Sequence, residues 1–224
     1  MIPETGRTER LFFDEHQWDT VEAAMARIIP TDQDPGAREA NTVRFVDRYL
    51  SGVDYIYAKP DGSGFLTLSG KVADVWHKRI ENLRRKYVEG VAELDRISQQ
   101  RFRADFVRLS AEQQDRILEA LARSGGGAEQ LVEAAGTIAG LEMPEAAMQQ
   151  MVSEHDLDFF PLLALHTRQG FYADPIYGGN TDHIGWKTIG FPGPASMAEV
   201  HRGDFSTLPY FAQDSIPVQT GGEE

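Results

Sequence analysis

The chain contains no cysteine. That absence removes disulfides, thiolate metal sites, iron–sulfur clusters, covalent c-type haem attachment and cysteine nucleophiles. Long hydrophobic runs are also missing, and none approaches the ~20 apolar residues that cross a bilayer. The stretch before Arg10 is polar and has no apolar h-region. Arg7 and Arg10 are not adjacent, so neither a secretory nor a twin-arginine signal is legible there. Read from Met1, this predicts a cytoplasmic chain; a periplasmic or secreted location is the alternative if the sequence is trimmed or a partner carries the export signal. Basic charge is scarce as well. Against 35 acidic residues stand 22 basic ones, a formal net charge of −13. Nucleic-acid affinity depends on neutralising phosphates, so this surface predicts no nucleic-acid partner.

Signature loops are lacking too. There is no Gly-x-Ser-x-Gly elbow, and Ser124 followed by Gly125, Gly126 and Gly127 has neither the strand context nor the lysine of a phosphate loop. Scattered acids such as Asp95, Asp105 and Asp115 read as helix-surface charges. One basic concentration, from Lys71 to Lys86, includes His77, Lys78, Arg79, Arg84 and Arg85. It reads as a solvated helix face, with an anion or partner site as the alternative.

What is present is helical periodicity. Asp14 with Gln17 three positions on makes a capping box, and Trp18, Val21, Met25 and Ile28 follow at helical spacing until Pro30. Asp34-Pro35 predicts a second helix with proline in its first turn, carrying Ala40, Val43, Phe45, Val46 and Leu50. Ser51 to Ser69 reads as a loop or short hairpin. A long amphipathic helix is expected from Val72 to Gln100, with Val75, Trp76, Ile80, Leu83, Tyr87, Val91, Leu94 and Ile97 inward and Gly90 a weak point. Ser110 with Gln113 forms a second capping box. Ser153 is expected to cap a helix through His166, and a looser helical region occupies Leu131 to Met151.

The expected class is mainly α: an irregular helical bundle with a long, aromatic-rich, mostly non-regular C-terminal arm. Residues 1–13 form a flexible arm, 14–170 the helical body, and 171–224 the C-terminal arm. Gly170 can end a helix in the left-handed conformation. After it, Asp174-Pro175 sets a turn and Gly178-Gly179-Asn180 permits backbone angles closed to bulky residues. Phe171, Tyr172, Tyr177, Trp186 and Phe191 sit between these hinges, and rings are favoured interface anchors. Each could instead fill the chain's own core.

For metal chemistry, His155 and Asp158 could share a helix face, with His166 three turns on and His183 downstream. This lacks the two-histidine helical pair of a zinc protease, so no metal ligand and no catalytic residue is assigned. An autonomous metal-dependent enzyme using His155, His166, His183 and nearby acids remains an alternative, as does a stand-alone chaperone-like binding module.

The run His166-Thr167, Gly170-Phe171-Tyr172, Asp174-Pro175-Ile176-Tyr177-Gly178-Gly179-Asn180 and Gly185-Trp186-Lys187, with Gly190-Phe191-Pro192-Gly193, resembles the gluconate 2-dehydrogenase subunit 3 family. Ala26 to Asp32 and Pro35 to Ala40 look like that family's opening, and the likeness extends from Asp14 to Pro194. The resemblance implies a non-catalytic small subunit that stabilises and assembles a FAD-dependent, GMC-type dehydrogenase of sugars, sugar acids or glycosides. It places FAD in the large flavoprotein partner, none in this chain, and implies a hetero-oligomer with no direct membrane insertion. Expected partner contacts are Phe171, Tyr172, Asp174, Pro175, Tyr177, Gly178, Gly179, Asn180, Trp186, Lys187, Phe191 and Pro192.

Overall fold

The computed structural model describes residues 10–52, 59, 61, 63–124, 154 and 156–207. Seven α-helices make up the described fold, with no strand among the described residues: α1 (Glu15–Ile28), α2 (Thr42–Ser51), α3 (Gly70–Phe102), α4 (Ala111–Ser124), α5 (Phe159–Tyr172), α6 (Ile184–Thr188) and α7 (Met197–Arg202). Three short 3₁₀ turns, Phe106–Arg108, Pro175–Tyr177 and Thr181–His183, fill bends between them. The expected helix over Leu131 to Met151 lies outside the described residues. The helix through His166 starts only at Phe159, with the extended Asp158 as its N-cap and Leu157 before it, so it does not run from a Ser153 cap as expected; Ser153 itself lies outside the described residues. So do Tyr55, Tyr57, His155 and the tail beyond residue 207.

Both capping boxes form. The Gln17 amide donates to Asp14 Oδ1 at 2.8 Å and the Asp14 amide to Gln17 Oε1 at 3.1 Å. At α4 the corresponding bonds of Ser110 and Gln113 are 3.0 and 3.4 Å. Each box satisfies two amides that a helix start leaves without intrahelical acceptors. A bidentate fork from Arg27 to Asp115, at 2.8 and 3.0 Å, then ties α1 to α4.

The second helix starts later than Asp34-Pro35 predicts. Gly36 lies against the backbone of Ile29 to Thr31, where a Cβ would sit 2.6 Å from the Ile29 carbonyl oxygen. The Ala37 amide donates to that same oxygen at 2.9 Å. Pro35 and Gly36 are thus committed to a tight turn, and α2 begins only after Asn41, which is left-handed at φ 53°.

The long helix α3 runs 33 residues, about 50 Å at 1.5 Å per residue. It buries Trp76, Ile80, Leu83, Tyr87, Val91 and Leu94, a 3–4 spacing that keeps one face inward. Two expectations change here. Val75, expected inward, is 68% exposed. Gly90, expected as a weak point, is buried, and a side chain there would overlap the Phe159 ring. Its missing Cβ lets α5 approach α3 closely. Helix α5 packs against α1, α2, α3 and α4, with Leu162 and Leu163 fully buried, each contributing about 2 kcal/mol by removal from water.

The boundary expected at residue 170 falls inside α5. Gly170 does not end the helix: its missing side chain makes room for Thr42 and Phe45 of α2, where a Cβ would stand 2.8 Å from Thr42 Cγ2. At the other end, Leu11 to Phe13 are not a free arm. The carboxylate of Asp47, a residue only 1% exposed, accepts from the Leu11, Phe12 and Phe13 amides at 2.7, 2.9 and 2.8 Å. Phe13 is buried against Tyr87, and the Arg84 guanidinium covers Phe12 at 5.3 Å.

Much of the basic run is spent internally. Arg84 donates to the Leu50 and Ser51 carbonyls at 2.6 Å each, and Lys86 to the Leu157 carbonyl at 2.5 Å. These bonds close the C-terminal end of α2 and the entry to α5, where carbonyls or extended backbone have no helical partners.

Candidate functional site

The segment after α5 folds back on α5 and α2 through backbone-to-backbone approaches that exclude side chains. A Cβ on Gly179 would overlap the Gly170 carbonyl, and one on Gly185 the Phe171 carbonyl. Gly178, at φ 111°, passes over the Arg44 carbonyl of α2. Asn180 is fully buried and left-handed at φ 49°. Its side chain donates to the Ala173 carbonyl and accepts from the Gly185 amide, both at 2.8 Å, which offsets the backbone strain. Arg48 donates to the Ile176 carbonyl at 2.6 Å and the Thr181 amide to the Ala40 carbonyl at 3.1 Å. Asp174 caps the short turn through the Ile176 amide at 2.9 Å, with Pro175 in its first position.

Each residue expected to meet a partner now has a place. Phe171, Asn180 and Trp186 are buried within the chain's own fold. The Trp186 indole donates to the Tyr172 carbonyl at 2.7 Å, and Gly193 lies on its ring face. Tyr177 is half-buried with its ring edge-on to Phe65, and Phe191 stands edge-on to Trp186 at 5.5 Å. Tyr172, Lys187 and Pro192 are exposed, together with Ile189. The motif therefore has a locked inner side and an outer side that reaches solvent. Asp182 and His183 are left-handed and exposed, and the His183 ring lies 5.0 Å from Trp186.

A second cluster takes Glu154 and His166 from the histidine–acid group weighed for metal chemistry and joins them instead to Tyr49, Arg79 and Tyr87, which the sequence did not connect with them. Glu154 accepts from Arg79 at 2.7 Å and from the Tyr49 hydroxyl at 3.1 Å. His166, fully buried, stacks on Tyr87 and edges against Tyr49. Its Nδ1 lies 2.9 Å from the Tyr87 hydroxyl, and its Nε2 faces Glu154 at 3.7 Å. Burial, then the nearby Glu154 and Tyr49, pushes the Tyr87 phenol well above its ordinary value, so the hydroxyl keeps its proton. Nothing in the local sequence joins the two sets, because their members are separated by up to 105 residues.

Burial alone would raise the Glu154 carboxyl; His166 and Arg79 outweigh it and hold it down at about 2. Its folded value lies below the ordinary 4.5, so the cluster's stabilisation is complete above the unfolded value and is lost as pH falls through the folded one. Between pH 4.5 and about 2, the chain should lose on the order of 2–3 kcal/mol through this group. Denaturation measured across that range checks it: Glu154→Gln should lack this part of the acid sensitivity, and a variant with the wild-type slope would contradict the assignment.

Among the described residues, no group of three or more His, Asp or Glu is arranged to hold a metal ion. His166 is committed to Tyr87, and His155 lies outside the described residues. Among the described residues, Arg168 Nε and Nη2 are enclosed without a hydrogen-bond partner.

Bundle and folded-back segment together define a mainly α chain whose most distinctive stretch fastens its own backbone and presents one outer face. The chain belongs to the gluconate 2-dehydrogenase subunit 3 family, whose model matches residues 15–193. It is thus of the kind that accompanies a multi-subunit dehydrogenase. No curated protein and no solved structure matches it. No helix among the described residues is long and apolar enough to cross a membrane.

Proposed function

We propose that the chain is the non-catalytic small subunit of a FAD-dependent, GMC-type dehydrogenase of sugars, sugar acids or glycosides, and that it stabilises and assembles the large flavoprotein. The observation that carries this reading is family membership across 15–193, joined to how the motif is built. Gly170, Gly179, Asn180 and Gly185 are committed to close packing, which holds Tyr172, Lys187, Ile189 and Pro192 on a fixed outer face. A preorganised surface loses little conformational freedom on binding, as suits a subunit that steadies another chain. FAD and the oxidation step belong to the partner in this reading, and the complex is cytoplasmic.

The test is co-production of the tagged chain with a GMC-type flavoprotein from the same genome. A yellow complex should elute as one species, and the flavoprotein made alone should be less soluble or less stable. A flavoprotein that is fully soluble and active alone, and is not retained by the tagged chain, would overturn the proposal. Fractionation of the producing cells locates the complex.

A further inference from the structure

The first turns of α3 and the loop before them carry apolar side chains in solvent. Val72 is 63%, Val75 68% and Leu66 43% exposed. Single exposed apolar residues are ordinary; here Val72 and Val75 line one groove of about 390 Å³ together with the buried Trp76 and with Leu68, Lys71 and Arg79. Val72 and Val75 share a helix face by their spacing of three. Lys71 lies four residues before Val75 and Lys78 three after it, so two exposed ammonium groups flank the apolar strip. Asp74 is the one carboxylate in these turns.

This face is also the electrostatic exception. From Lys71 to Lys86 the chain carries six Lys and Arg against Asp74 and Glu81, whereas the whole chain carries 22 basic against 35 acidic residues. Arg79, Arg84 and Lys86 are drawn to internal acceptors; Lys71 and Lys78 stand at the rim. On an acidic protein, attraction toward an acidic partner is concentrated at such a patch.

We infer that this face of α3 is a docking surface for the flavoprotein subunit, and that it meets an apolar surface flanked by carboxylates. The inference rests on the subunit reading above and adds to it a place outside the C-terminal motif. A second copy of this chain is the poorer occupant. A two-fold contact would lay the patch on itself and set the lysine rim against another lysine rim, a repulsive arrangement.

The test compares wild type, Val72→Glu with Val75→Glu, and Lys71→Glu with Lys78→Glu, each titrated against the purified flavoprotein subunit. All four positions are exposed, so thermal midpoint and circular dichroism should match wild type. The valine pair should weaken the Kd by at least about ten-fold. The lysine pair should weaken it at low salt and flatten its salt dependence. Variants that bind as tightly as wild type would overturn the surface while leaving the subunit reading intact. Loss of self-association by the isolated chain, with flavoprotein binding unchanged, would assign the face to a second copy and overturn the inference. A wild-type chain that fails to bind the flavoprotein would overturn the subunit reading itself, and this inference with it.

Discussion

Gly185→Ala is expected to destabilise the chain by about 3 kcal/mol or more. Helix propensity alone predicts the opposite sign, since alanine is better than glycine in a helix by about 1 kcal/mol, and Gly185 is the second residue of α6. The tertiary environment decides. A Cβ at this position overlaps the Phe171 carbonyl oxygen and stands 2.9 Å from both the Phe171 carbonyl carbon and its ring Cδ1. Backbone cannot step aside as a flexible side chain can, so α6 must move off α5. That movement breaks the bond from the Gly185 amide to Asn180 and strains the one from the Trp186 indole to Tyr172, 2.8 and 2.7 Å in the native fold. Chemical denaturation followed by tryptophan fluorescence measures the effect, with a red-shifted component as Trp186 meets water. In thermal unfolding the midpoint should fall by roughly 6–12 °C. A variant as stable as wild type would show that this crossing is not sterically closed.

Asp47→Ala comes next, at about 2–4 kcal/mol. Three amides converge on one buried carboxylate, and charge-assisted hydrogen bonds are the stronger kind. The loss falls unevenly. Leu11 and Phe12 are accessible enough to replace the carboxylate with water, whereas Phe13 is buried and its amide would be stranded. Asp47→Asn keeps one acceptor oxygen and should cost about half as much. Because Phe13 and Phe12 pack on Tyr87 and Arg84, release of the segment should also open the near end of the core. Hydrogen exchange at Leu11, Phe12 and Phe13 separates the two effects: exchange should accelerate at these amides first. Unchanged stability and protection in Asp47→Ala would dismiss the clamp.

What could be read from the sequence follows from the range of the interactions. The capping boxes at Asp14 and Ser110 are local, three residues long, and both form where they were expected. The core face of α3 follows from periodicity, except at Val75, where none of the described elements covers the face. The glycines are the instructive failures. Gly170 has the look of a helix stop and Gly90 of a flaw, yet both are places where another element comes too close for a side chain. Sequence shows that a glycine is present but not which segment crosses it. Asp47 and Glu154 were illegible for a related reason. Apart from His166 beside Glu154, their partners are backbone amides or side chains 34 to 105 residues away. The motif from His166 to Gly193 was legible as a family resemblance, and the match over 15–193 agrees. Its physical meaning was not, because the same rings could serve the chain's own core or a partner. The structure divides them: Phe171 and Trp186 turn inward, and Tyr172 stays outside.

The bond from Arg48 to the Ile176 carbonyl joins residues 128 positions apart. On the ribosome, that separation is an interval of time. At about 5–20 residues per second, α2 must wait on the order of ten seconds before the segment that completes it has been made. During that wait Val43, Val46 and Leu50, all buried in the finished fold, have no α5 to cover them. Contacts this distant in sequence also slow the search for the native state. The nascent chain therefore carries this uncovered apolar surface until its C-terminal part has been made. Its C-terminal turns act, in kinetic terms, as the step that ends that exposure.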